Sequence, residues 1–136
     1  MADALKLELV SPEKELASRM VRAVVVPGVE GEFEVLPGHA PVLSILRPGV
    51  LAITEISDKP TKFFVRGGYA EVANDEVIVL AEYAIPLEEL NAARIEEEIR
   101  WAREDLEDAR NEEEARKLRE RLDFLISLKE ALQAAS

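Results

Sequence analysis

His39 is the only histidine in the chain and cysteine is absent, so the side chains that most readily act as bases, nucleophiles and metal ligands are reduced to one. It sits in Pro37-Gly38-His39-Ala40-Pro41. A turn role is favoured there over catalysis, because no second histidine or thiol exists to complete a metal site or a triad. Glu30 and Glu32 are a candidate pair of carboxylates. In a chain with 28 acidic residues such a pairing carries little information, and both read first as solvated surface. The nearest approach to a phosphate-cradling loop is Pro27-Gly28-Val29-Glu30-Gly31-Glu32. It leads into a strand pattern rather than a helix, and its carboxylates repel phosphate. Aspartates at the spacing of a calcium loop are missing too. With no constellation of nucleophile, base and orienting group, these residues point to a non-catalytic interaction module.

The elements that must carry these residues fall into two halves. Residues 1 to 86 hold all 6 glycines and all 7 prolines, and their apolar residues alternate with a period of two, the mark of half-buried strands. In LKLELV, Leu5, Leu7 and Leu9 point one way and Lys6 and Glu8 the other. Consecutive Val24, Val25 and Val26 predict a strand buried on both faces. Further strand patterns are EFEVL, PVLSIL, GVLAITEI, TKFFVR, YAEVA and EVIVLAE, separated by turn punctuation at Pro27-Gly28, Pro37-Gly38, Pro48-Gly49, Asp58-Lys59-Pro60, Gly67-Gly68 and Asn74-Asp75. Short, closely spaced strands with no intervening helical pattern predict an antiparallel sandwich or barrel.

Residues 87 to 136 lack glycine and proline and favour helix. Ala92, Ile95, Ile99, Ala102, Leu106 and Ala109 recur at steps of three and four, which draws a narrow seam. Asn111 can cap a second helix with Glu114 completing a capping box. That helix repeats the seam with Ala115, Leu118, Leu122, Leu125 and Leu132, while Lys129 falls where an apolar residue is expected. A two-helix antiparallel hairpin follows from the short connection. Its seam of mostly small side chains yields about 1 to 2 kcal/mol per well-buried residue, against about 1 to 2 kcal/mol per residue for ordering the chain. The hairpin is therefore expected to depend on docking and to adopt more than one docked state. Intrahelical pairs Glu96 with Arg100 and Glu112 with Arg116 are expected to support it.

The formal net charge is −11, from 17 basic and 28 acidic residues. A field of that sign disfavours nucleic acid and anionic lipid and favours neutral or basic protein partners. The sequence shows neither a secretion leader nor a run of about 20 apolar residues, so the expectation is a cytoplasmic location, with any membrane association made through a partner.

Two stretches carry a specific resemblance. VVVPGVEGEFEVLPGHAPVLSILRPGV (24 to 50) and FFVRGGYAEVANDEVIVLAEYA (63 to 84) are similar to the two signature regions of the epsilon subunit family of F-type, proton-translocating ATP synthases. LKLELVSPEKEL and the terminal hairpin extend the likeness over nearly the whole chain. The resemblance implies an α+β fold, with an N-terminal antiparallel β-sandwich of about ten strands over 1–86 and a helical hairpin over 87–136. It implies a non-catalytic central-stalk subunit, peripheral on the cytoplasmic side of the energy-coupling membrane, whose sandwich joins the gamma subunit to the ring of c subunits. Glu30, Gly31, Glu32 and His39 match positions that face the ring in that family.

In some members the hairpin reaches the catalytic α/β hexamer and inhibits hydrolysis. Arg94, Arg100, Arg103, Arg110, Arg116, Arg119 and Arg121 are the candidate contacts for that role here, although acidic neighbours at helical spacing make salt bridging the first expectation. The family's nucleotide motif survives only in part. Leu90 and Arg94 match, whereas Asn91 stands for the aspartate and Ile95 for the alanine, so weak or absent ATP binding and no cofactor are expected. A free acidic adaptor in an unrelated assembly is the alternative from a different class.

Overall fold

Leu5, Leu7 and Leu9 are wholly buried and Lys6 between them is exposed, so the alternation in the sequence is the alternation of a half-buried strand. The computed structural model describes residues 4–135. Its strands are β1 (Leu5–Val10), β2 (Glu15–Gly28), β3 (Gly31–Val35), β4 (Val42–Ile45), β5 (Gly49–Glu55), β6 (Pro60–Ala73) and β7 (Glu76–Pro86). A 3₁₀ turn at Leu87–Glu89 leads to α1 (Ala92–Glu107) and α2 (Glu112–Ala134). The chain divides after Leu87 into two compact units.

The strands form a β-sandwich-like sheet with hydrogen-bonded order β1-β7-β6-β5-β2-β3. β1 also pairs with β2, so β1, β7, β6, β5 and β2 close on themselves in a ring, with β7 beyond Leu80 and β2 before Val21 each paired on one side alone. Only β3, on β2, and β4, on β6, hang from it by one side. Seven strands are present among the described residues, not the ten expected from the resemblance. The difference lies in strands that bend instead of ending. β6 runs unbroken through Gly67 and Gly68, giving its first half to β5 and its second to β4 while β7 follows it throughout. TKFFVR and YAEVA are thus one strand. Gly68 makes this possible: φ is +94°, and a Cβ there would lie 1.8 Å from the Leu80 carbonyl oxygen, a space no side chain can enter. β2 likewise serves β1 with its first half and β3 with its second.

The sheet is not wholly antiparallel, since β1 and β7 pair in parallel. The core is aliphatic, built on Leu5, Leu7, Leu9, Val24, Val26, Leu51, Ile53, Val65, Val77 and Val79. Among the described residues it contains no buried polar side chain, so its stabilisation is almost entirely burial of apolar surface. Phe64 is fully buried as well, with its ring edge-on to Tyr83 at 6.1 Å.

In the helical unit, Asn91 and Asn111 each stand at an N-cap. Their Oδ1 atoms accept from Arg94 N–H at 2.9 Å and Glu114 N–H at 2.8 Å, which satisfies orphan donors of the first turns. Ile95, Ile99 and Ala102 are buried on α1, as the seam predicts, with Leu125 on α2. Beyond Leu125 the buried face turns: Leu128 and Ala131 take the buried positions expected of Leu132 and its neighbours. Lys129 avoids burial by sending its Nζ to Glu96 Oε1, 2.7 Å away on the other helix. The intrahelical pairs expected for Glu96 with Arg100 and Glu112 with Arg116 do not form. Glu96 takes Lys129, Glu112 takes Arg119, and Arg116 takes Glu120 at 2.8 Å.

Candidate functional site

The turn from β2 to β3 puts Val29 and Glu30 at its tip, and main-chain bonds staple it to the end of β4. Val29 N–H donates to Ile45 O at 2.9 Å, and Arg47 N–H to Pro27 O at 2.9 Å. Since β3 and β4 are each paired on one side only, a groove opens between them, lined by Glu30, Glu32, Phe33, Leu43, Ser44 and Ile45. Val29, Leu43 and Ile45 are 54%, 64% and 57% exposed, and Tyr69, opposite Ile45 in the ladder, is 39% exposed. Apolar side chains so grouped and left in water are the hallmark of a protein contact surface. Glu30 and Glu32 border them and form no ion pair within 4 Å among the described residues, so the rim of the groove carries uncompensated negative charge.

His39 lies beyond the far end of β3. The structure therefore sets it apart from the Glu30-Gly31-Glu32 turn along the length of that strand, with Phe33 in between: the Phe33 ring lines the groove and its centroid is 6.1 Å from that of His39. The His39 Nδ1 is 2.7 Å from Ala40 O. Sequence reasoning missed the exposed face of β4, because PVLSIL has the composition of an ordinary half-buried strand. It also missed the pair Arg19–Glu55, in which Nε and Nη2 donate to the two carboxylate oxygens at 2.9 and 2.6 Å. The hydrogen bonds from Arg19 hold the Glu55 carboxyl below its usual value and raise that of Arg19.

On the helical unit, the residues of the partial nucleotide motif are engaged locally. Asn91 is a helix cap, and Arg94 lies within 3.9 Å of Glu97 and 4.0 Å of Glu98 and stacks over Trp101 at 5.1 Å. Arg116, Arg119 and Arg121 also have carboxylate partners, the last on Glu98 across the hairpin at 3.3 Å. Arg100, Arg103 and Arg110 are exposed and form no ion pair among the described residues. The candidate arginines thus fall into a paired set and a free set. No helix among the described residues is long and apolar enough to cross a membrane.

Comparison with known proteins adds the family. The family model for the ATP synthase delta/epsilon chain beta-sandwich domain matches residues 4–87, the whole strand-built unit as described. An ATP synthase epsilon chain of Maricaulis maris is 48% identical over 105 residues, covering 76% of this chain and 77% of that protein. One from Ruegeria sp. is 45% identical over 103 residues, covering 76% and 74%. Among solved structures, a chain in the cryo-EM structure of the Euglena gracilis mitochondrial ATP synthase, OSCP/F1/c-ring in rotational state 1, aligns at a TM-score of 0.80 and 25% identity. That alignment covers 99% of this chain and 82% of the other. A chain of the Tetrahymena thermophila mitochondrial enzyme, central stalk and c-ring, shares the fold at a TM-score of 0.53 over 62% of this chain and 68% of that one. This chain belongs to the ATP synthase delta/epsilon chain family, and its sequence relatives there are epsilon chains.

Proposed function

We propose that the chain is a non-catalytic subunit of the central stalk of an F-type ATP synthase, peripheral on the cytoplasmic side of the energy-coupling membrane, where its sandwich couples the gamma subunit to the ring of c subunits. The observation that carries this reading is the groove between β3 and β4. The strands close in a ring, yet β4 leaves Leu43 and Ile45 in water beside Val29 and Tyr69. Covering that face on a partner is worth about 25 cal/mol per Å² of apolar surface removed from water. In this reading the apolar face meets gamma, while Glu30, Gly31 and Glu32, with His39, meet the polar loops of the ring. The two free carboxylates complement a basic loop there and steer the encounter.

The test is substitution in the assembled complex. Leu43→Asp with Ile45→Asp is expected to abolish co-purification with gamma, and Glu30→Lys with Glu32→Lys to leave gamma bound but weaken ATP-driven proton pumping. Retention of gamma by the double aspartate variant overturns the assignment of that face.

A second role for residues 87–136, restraint of ATP hydrolysis by contact with the α/β hexamer, is supported by one observation: Arg100, Arg103 and Arg110 are exposed and unpaired among the described residues. Exposed cations without partners give up no ion pair when they meet an acidic surface. Arg94 and Arg116 would first have to release Glu97, Glu98 and Glu120. Removal of residues 88–136 is expected to spare coupling and raise hydrolysis.

A further inference from the structure

Asp75 is the point at which three separate segments of the sandwich meet. It occupies the β6–β7 turn with φ at +59°, beside Asn74 at +52°; two successive left-handed residues match the twist of a tight hairpin and are tolerated best by Asn, Asp and Gly. Its carbonyl oxygen accepts from Lys6 N–H at the start of β1, 3.0 Å away. Its side chain turns the other way, and Oδ1 accepts from Gly38 N–H at 2.7 Å.

That second bond has a conformational meaning. His39 N–H donates to Leu36 O at 3.0 Å, with Gly38 at φ +90°. A closed turn with proline second and a left-handed glycine third is type II. Types I and II differ by a flip of the central peptide, here Pro37–Gly38, which reverses the direction of the Gly38 N–H. A carboxylate fixed on one side of the loop captures that N–H in one orientation only, through a charge-assisted bond. The His39 ring, next in sequence, is thereby delivered to its place 6.1 Å from Phe33.

We propose that Asp75 is the positioning residue of the His39 loop: it locks the Pro37–Gly38 peptide and so sets the surface that His39 presents. The consequence for coupling rests on the ring-facing reading of His39, whereas the lock itself does not.

The test uses the full chain. In the unaltered protein, the scalar coupling across the hydrogen bond between the Gly38 amide nitrogen and the Asp75 side-chain carboxyl carbon reads the lock without any substitution, and its absence overturns the proposal. Asp75→Gly removes the carboxylate while keeping a residue at ease with positive φ. It is expected to speed exchange of the Gly38 amide by about tenfold or more, the effect of losing one charge-assisted bond. The amides of Phe64 and Val65, at the other end of β6, are expected to keep their protection. Asp75→Asn retains an acceptor and tolerates the backbone, so it is expected to restore slow exchange. Unchanged Gly38 exchange in the glycine variant, or failure of asparagine to rescue, overturns the assignment. In the assembled complex, a loss of proton pumping with glycine and its recovery with asparagine supports the lock as a determinant of coupling. Faster exchange with full pumping supports the lock and overturns instead the reading of His39 as a ring contact.

Discussion

Arg19 on β2 grips Glu55 at the end of β5 through two parallel bonds of 2.9 and 2.6 Å, joining residues 36 apart in sequence at the place where the β2–β5 register slips. The hydrogen bonds from Arg19 hold the Glu55 carboxyl below the ordinary glutamate range. A carboxylate whose folded value is lowered contributes stability above its unfolded value and loses it as pH falls through the folded one. Glu55→Gln is therefore expected to lower stability by about 0.5 to 1 kcal/mol at pH 7, the scale of a well-formed but solvent-touched pair. Urea midpoints measured from pH 7 down to pH 3 should show the variant converging on the parent protein below about pH 4.5.

Gly68 and Gly38 both have positive φ, yet they should respond differently to alanine. At Gly68 a Cβ meets the Leu80 carbonyl at 1.8 Å, whereas at Gly38 nothing lies within 4 Å. Gly68→Ala is expected to cost about 3 kcal/mol or more and to reduce soluble yield, because the β6–β7 ladder itself must move. Gly38→Ala should cost about 1 to 2 kcal/mol, the left-handed penalty alone. Thermal melts of the two variants check the ranking.

Leu125 is 1% exposed. Leu125→Ala should cost about 2 to 5 kcal/mol in lost burial and cavity formation. Amide exchange resolved along the chain would place the loss: acceleration is expected across α1 and α2, with β5 to β7 unaffected.

Asn91 Oδ1 already accepts from Arg94 N–H, and Arg94 is held by Glu97, Glu98 and Trp101. Calorimetry with MgATP is expected to give no binding in the micromolar range. Asn91→Ala should cost about 1 kcal/mol of helix stability, the worth of an N-cap, read as lowered helicity by circular dichroism.

The strand half was largely legible in the sequence where alternation was clean. Leu5, Leu7 and Leu9 had only one way to point, and the terminal hairpin announced itself by its seam and by the cap at Asn111, whereas the cap at Asn91 was not read from the sequence. The first half of β2, ELASRM, was not legible, since its buried Ala17 stands among exposed Ser18, Arg19 and Met20. Gly67-Gly68 read as the end of a strand because glycine marks turns and bends equally well, and only the neighbouring Leu80 carbonyl distinguishes them.

At the candidate site the carboxylates and the histidine were visible by type. Their separation along β3 was not, nor was the exposure of Leu43 and Ile45, whose face of β4 is left uncovered. Likewise, Lys129 broke the seam on paper, but the remedy, Glu96 on the facing helix, depends on rotation of α2 that no local pattern encodes. Asp75 could be read as a turn former, while its bond to Gly38 spans 37 residues and belongs to the tertiary structure.

The first strand has a ladder on each flank, to β2 on one side and to β7 on the other. A pull along it must shear both rows of hydrogen bonds together instead of peeling one rung after another. Built in this way, the first strand has no free flank from which it can be unzipped on its own.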